Sequence, residues 1–277
     1  MIKVVKSGLY TSIQDSGRFG YRSIGVPYSG FMDFKSAILA NKILNNLLDS
    51  ALLEITLVGP VLKFDNPTTI SLTGAEFNST INNKLVEFYK PVNVSKGDIL
   101  EINNSINGAR CYLAVRGGID TETLLGSKSF YQGITKSDIL KNNDIIRFNL
   151  QEKSHQYQNY YSRFSLNSSI EVMKGPEFKL LNKTSLNSFF NQNFTIGTNN
   201  RMAYNLVETI QASINTIISS PVIPGTIQLT PAGSIIILHR DCQTNGGYPR
   251  IFQLTKQSLD NLSQLKSGEK IKFKLIN

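Results

Sequence analysis

Ser234-Ile235-Ile236-Ile237-Leu238 runs without a break into His239-Arg240-Asp241-Cys242-Gln243-Thr244-Asn245-Gly246-Gly247-Tyr248-Pro249. A short apolar run of this kind suits a buried strand. The polar residues, the Gly-Gly pair and Tyr-Pro that follow punctuate its end. A hairpin closes with a short loop that holds one or two residues at positive φ. This loop also sets Arg240, Asp241, Gln243, Thr244 and Asn245 at the mouth of a strand, where binding groups are often carried. A polar loop closing a strand pair and a binding site both fit the stretch taken alone.

The same short-strand pattern recurs through the chain. Leu52–Leu57, Thr69–Thr73, Asp98–Ile102 and Cys111–Val115 are each bounded by Gly, Pro, Asn or Asp, as are Ser169–Met173, Ile227–Leu229 and Ile271–Leu275. Such spacing predicts a mainly β protein built as barrels or sandwiches, with a few short helices. Helices are expected from Phe34 to Leu48, capped by Asp33, from Lys179 to Phe190 and from Ser258 to Leu265. Lys96-Gly97-Asp98-Ile99-Leu100-Glu101 and Ser267-Gly268-Glu269-Lys270-Ile271-Lys272 end the two halves alike, which hints at an internal repeat. The tyrosine-bearing polar stretch from Gln151 to Arg163 reads as a linker. The expected division is therefore 1–150, a linker over 151–165, and 166–277.

Composition narrows the function classes. The chain has 277 residues and a net charge of +9, with two cysteines and two histidines. The basic residues are scattered and form no nucleic-acid motif. No metal-ligand spacing appears, so no metal site is expected from the residues. The N-terminus is too short in apolar content for a signal peptide and no apolar run approaches a membrane span, so a cytoplasmic protein is expected, with no membrane partner. Cys111 lies in an apolar run and reads as core. Cys242 could be a nucleophile only with a histidine partner, and on a strictly alternating strand His239 points away. Glu54 sits in an apolar strand and must either pair with an arginine such as Arg18 or face outward. Gly126-Ser127-Lys128-Ser129 faintly resembles the end of a phosphate-binding loop but lacks the upstream glycine.

A second dense polar stretch lies near the N-terminus. Thr11-Ser12-Ile13-Gln14-Asp15-Ser16-Gly17-Arg18-Phe19-Gly20-Tyr21 leads through Gly25-Val26-Pro27-Tyr28-Ser29-Gly30-Phe31-Met32-Asp33. Its glycines allow a long loop to fold tightly over something. Together with Leu53–Phe64 and Asp241–Pro249, these motifs resemble the allophanate hydrolase subunit 2 or biotin-dependent carboxyltransferase-like family, and within it the group serving bacterial ATP-dependent 5-oxoprolinase. The resemblance covers essentially the full length. Where members commonly read R-M-G-Y-R-L this chain has Arg201-Met202-Ala203-Tyr204-Asn205-Leu206, and Cys242 and Asn245 replace an arginine and a threonine.

The resemblance implies two tandem cyclophilin-like β-barrel domains and an enzyme subunit that is inactive alone. It implies a heteromeric complex with a B-type subunit that activates 5-oxoproline with ATP and Mg²⁺, and an A-type subunit that completes ring opening to glutamate. Two other functions stay open: a carboxyltransferase acting with a biotin carrier, and a regulatory module that antagonises a kinase inhibitor. On the main reading Asp15, Arg18, Arg201 and Asp241 are the expected catalytic residues. The arginines, with Arg240, would hold carboxylate or phosphate of a small anionic substrate, because a guanidinium binds such groups bidentately. Asp15 and Asp241 would orient them or hold Mg²⁺. Gly17, Tyr21, Pro27, Ser29, Gln243, Thr244, Gly246, Gly247 and Tyr248 complete the expected substrate-binding set.

Overall fold

A computed structural model describes residues 1–149, 167–212 and 214–276. The linker expected over 151–165 lies outside the described residues. The chain divides into two compact units, Met1–Arg18 with Ser29–Ser165 and Phe19–Tyr28 with Leu166–Asn277. Ten residues of the N-terminal glycine-rich loop, Phe19–Tyr28, belong to the second unit.

The first unit is a nearly closed barrel made from one continuous ten-stranded sheet. Its main path runs Tyr10–Gln14, Leu52–Thr56, Ile99–Val115, Val61–Phe64, Ile2–Lys6, Ile145–Phe148 and Ile119–Asp120. The long strand Thr68–Ile81 pairs antiparallel with Ile99–Val115 through several bulges, which bend both strands around the core. Leu53, Ile55, Leu72, Leu113 and Phe64 lie in that core, each wholly buried.

Helix α1, Phe34–Ile43, covers one face of this sheet. Asp33 caps it as expected, its Oδ1 accepting from Ser36 N at 3.0 Å. Ser71 and Thr73 on the sheet donate to the helix carbonyls of Ala40 and Ser36, each at 2.7 Å. The helix stops five residues short of the expected Leu48, and Leu47 and Leu48 are exposed. Local amides explain the early stop. Asn45 takes φ +54°, and the side chains of Asn41 and Asn46 donate to Ser50 O and Val115 O, each at 2.8 Å, so the turn is satisfied without another helical turn.

Glu54 does not face outward. It is wholly buried, and its Oε2 accepts from Met32 N at 2.8 Å and from the Tyr112 hydroxyl at 3.0 Å. The same hydroxyl accepts from Asp33 N at 2.7 Å. Burial, then the charges of Glu54 and Asp33, hold the Tyr112 phenol well above its usual range, so it stays a donor.

The second unit is a closed barrel. Around its wall run Ser169–Lys174, Arg250–Leu254, Thr226–Leu229, Ser234–Leu238, Ala203–Thr209, Phe194–Asn199 and Lys270–Leu275, the last pairing parallel with the first. Helix α2, Lys183–Asn191, starts four residues later than expected, because Asn182 caps it and a 3₁₀ turn, Phe178–Leu180, precedes it. From α2, Phe189 stacks on Phe252 at 4.5 Å and Phe273 at 4.4 Å and fills the barrel with aromatic surface. Helix α3, Lys256–Ser263, starts two residues before the expected Ser258 because Thr255 is its cap.

The similar endings of the two halves form similar turns. Gly97 (φ +95°) and Gly268 (φ +90°) each donate their N–H to a carbonyl at a strand, Phe64 O at 2.7 Å and Ile196 O at 2.8 Å. Both positions need the left-handed region that glycine occupies without strain.

The Tyr112 hydroxyl offers a direct check on the first barrel. Tyr112→Phe removes a donor from a buried carboxylate and an acceptor from the Asp33 N–H. The expected loss is about 1–3 kcal/mol of unfolding free energy, read from urea denaturation.

Candidate functional site in the second barrel

The mouth of the second barrel is built on a buried ion pair. Arg201 Nε donates to Asp241 Oδ2 at 2.8 Å and its Nη2 to Oδ1 at 3.2 Å, with the two side chains only 7% and 12% exposed. Main-chain bonds run parallel to the pair, from Asp241 N to Arg201 O at 2.9 Å and from His239 N to Met202 O at 2.8 Å. The wholly buried His239 accepts from Arg240 N on Nδ1 at 2.9 Å, and its Nε2 lies 3.2 Å from Leu259 O. Only the neutral tautomer protonated on Nε2 satisfies both contacts. The Arg240 side chain turns toward Asp260 of α3, with Nη2 3.8 Å from Oδ1.

Arg22, which lies between the two quoted stretches of the N-terminal motif and was absent from the expected site, holds the far side of this loop. Its Nη2 donates to Val222 O, to Gln243 O at 3.0 Å and to Thr244 O at 3.3 Å, and its guanidinium lies 4.7 Å from the centre of the Tyr28 ring. Phe19 packs against Tyr28 at 5.2 Å. The expected residues Tyr21 and Pro27 lie on the same ten-residue segment, and Tyr21 O accepts from Ile24 N and Val26 N.

The Gly-Gly pair works differently from a positive-φ hairpin turn, since neither Gly246 nor Gly247 has positive φ. Asn245–Gly246 instead forms a two-residue ladder with Ser220–Pro221. A Cβ on Gly246 would stand 2.5 Å from Gln228 Nε2, so a side chain here would displace the end of Gln228.

Beside this loop lies an open cleft of about 310 Å³, at the small end of ligand sites. Ala203, Ile236 and Leu238 supply apolar surface, packed on Val222 and Cys242. Asn199, Asn200, Asn205, Gln228, Gln243 and Tyr248 supply the polar groups, and among the described residues no charged side chain lines the cleft. Asn200 Oδ1 accepts from Met202 N and Ala203 N, which leaves its Nδ2 as a donor. Gln228 is 1% exposed and donates through Nε2 to Tyr248 O at 3.3 Å. Gln228 and Asn200 were not in the expected set: one sits in an ordinary strand pattern and the other in a turn.

Cys242 is fully buried, and burial pushes its thiol up to about 11, against a smaller opposing influence of Arg22. It is a core thiol. Cys111, buried in the first barrel, is pushed up further by the same cause.

The remaining expected residues form a separate cluster in the first barrel. Asp15, 8% exposed, accepts on Oδ1 from Gly17 N at 2.8 Å and from the hydroxyls of Ser127 and Ser129 at 2.6 Å, and on Oδ2 from Lys128 N at 2.6 Å. The stretch that faintly resembles a phosphate-binding loop thus wraps a carboxylate. Arg18 is wholly buried; its Nε donates to Leu124 O at 3.2 Å and its Nη2 to Ser129 O. Ser29 is buried with φ +55°. Both clusters therefore use their charged motif residues to shape loops.

Two β-barrel units in one chain, the second with an amide-walled cleft, define a tandem-barrel protein with a site of small-molecule size. The chain belongs to the family described as carboxyltransferase domain, subdomain A and B, which it matches over residues 24–275. It is 29% identical to the C subunit of Escherichia coli 5-oxoprolinase over 99% of this chain and 90% of that one. For the C subunit of Haemophilus influenzae 5-oxoprolinase the corresponding figures are 28%, 100% and 92%. The crystal structure of the Kluyveromyces lactis urea amidolyase matches all of this chain but 19% of its own length, at 29% identity and TM-score 0.89. That of TTHA0988 matches 99% of this chain and 55% of its own, at 24% identity and TM-score 0.90. Among the described residues no helix is long and apolar enough to cross a membrane.

The buried thiols give a chemical check on the site. With burial raising its pKa to about 11, Cys242 stays overwhelmingly the neutral thiol at pH 8. A disulfide reagent is expected to titrate neither Cys111 nor Cys242 in the folded chain at that pH, and both in urea. Rapid reaction of a folded thiol would show an open, activated cysteine instead.

Proposed function

We propose that the chain acts as the C-type component of an ATP-dependent 5-oxoprolinase, binding 5-oxoproline for a B-type partner to activate and an A-type subunit to open. The observation that carries this reading is near-full-length similarity to two proteins named as the C subunit of 5-oxoprolinase. The cleft supports it on chemical grounds. A lactam ring presents an N–H donor, a C=O acceptor and apolar methylenes, and the cleft offers amide acceptors, an Asn200 donor and an apolar surface.

The fit of ATP and Mg²⁺ to the second-barrel cleft is poor, since no charged side chain lines it among the described residues. Among the described residues no group of three or more His, Cys, Asp or Glu could hold a metal ion. Arg18 donates to carbonyls, Arg201 to Asp241, and Arg240 faces Asp260. The proposal therefore gives the nucleotide to the complex and its partner subunit. This chain's part is to hold and orient the ring, which contributes by removing the entropy of encounter. The cytoplasm, where 5-oxoproline and ATP occur together, is the compartment this reading requires.

A second reading has its own support in the likeness to the Kluyveromyces lactis urea amidolyase. On that reading the same cleft takes a neutral urea-type group and a biotin carrier rides on another chain. Co-expression with A-type and B-type partners decides between them. Glutamate is expected from 5-oxoproline and ATP, with loss of activity when this chain is omitted. Asp241→Ala, which strips the partner from a buried arginine, is expected to cut turnover at least about tenfold. No glutamate, together with biotin-dependent carboxylation of urea, would establish the carboxyltransferase reading.

A further inference from the structure

We infer that Gln228 is the specificity-determining residue of the cleft, its Oε1 accepting a hydrogen bond from a ring N–H of the ligand. The inference rests on the lactam reading above and adds to it the group that tells a lactam from other small rings.

The side chain is 1% exposed yet lines the cleft. Its amide orientation is fixed by chemistry: the end facing Tyr248 O must be the NH₂, because only a donor can bond a carbonyl. Oε1 is thereby directed away from Tyr248 O, and among the described residues no protein group donates to it. An amide oxygen carried on a buried, immobilised side chain and lacking a protein donor is a preformed acceptor. Gly246 makes this placement possible, since any side chain there would displace Nε2. The Gly-Gly-Tyr stretch thus acts on the ligand through Gln228: one residue gives it room and another anchors it. Gln243 lines the same cleft and its Oε1 is buried without a partner, a second acceptor of the same kind.

Such a site favours a ring that donates at this point and disfavours one that offers lone pairs there, because two acceptors face each other unpaired. The test compares 5-oxoproline with its ring-oxygen lactone analogue, which differs by replacement of N–H with O. Binding is measured by calorimetry on the full chain, alone and with its B-type partner. The natural chain is expected to prefer the lactam by about tenfold or more, the value of one well-placed hydrogen bond. Gln228→Met, similar in volume and without the acceptor, should bring the two rings within about twofold. Gly246→Ala, which pushes on Gln228 from a surface loop, should also lower the preference, and thermal melting reports whether each variant folds. A full preference retained by either folded variant overturns the role of Gln228 while leaving the lactam reading standing. If the natural chain binds neither ring in either form, the lactam reading falls and this inference with it.

Discussion

The mouth of the second barrel depends on keeping the Arg201–Asp241 pair out of water. Removing two charges from solvent costs several kcal/mol each, and their attraction offsets this only with good geometry. The geometry here is two-pronged, through Nε and Nη2, and the parallel main-chain bonds set the register of both strands' ends. What the pair contributes is placement more than net stability. It fixes where the chain leaves Ser234–Leu238, and so buries Cys242 on one side and turns Gln243 toward the cleft on the other.

The first barrel solves a related problem with different partners. Asp15 gathers two main-chain N–H groups and two serine hydroxyls. Such donors stabilise a buried carboxylate without a counter-ion beside each oxygen. The wholly buried Arg18 is spent on the same turn, through Leu124 O and Ser129 O. In both barrels a motif aspartate is an internal knot whose loss would loosen a loop.

This explains which parts were legible in the sequence. The strand at Ser234–Leu238, the Asp33 cap and the twin glycine turns follow from local patterns, and each appears where the pattern puts it. The end of α1 was not legible, because the bonds of Asn41 and Asn46 that stop it reach Ser50 and Val115. The Glu54 partner was no more legible: a carboxylate in an apolar strand signals a partner, but Tyr112 lies 58 residues away in sequence. The motif segments do contain Arg201, Asp241 and Gln243, which the fold brings to one end of the barrel. Gln228 carried no signal, since a glutamine between Ile227 and Leu229 reads as the outward face of an alternating strand. A closed barrel with Gly246 over it turns that outward face into a buried one.

Long motifs and ligand contacts therefore come apart in this chain. The charged residues that make the motifs specific are largely buried and bonded from within, so altering them disturbs shape before it disturbs recognition. In the second-barrel cleft the groups left to meet a ligand are uncharged amides on an apolar surface. Neutral amides suit the part of a substrate that is itself an amide, since donor and acceptor match at little desolvation cost. They do little for phosphate, which calls for cations or a fan of main-chain N–H groups. On the 5-oxoprolinase reading the division of labour follows from that contrast: a ring-holding component can stay neutral if the charge developed during activation is met on the chain that handles the nucleotide.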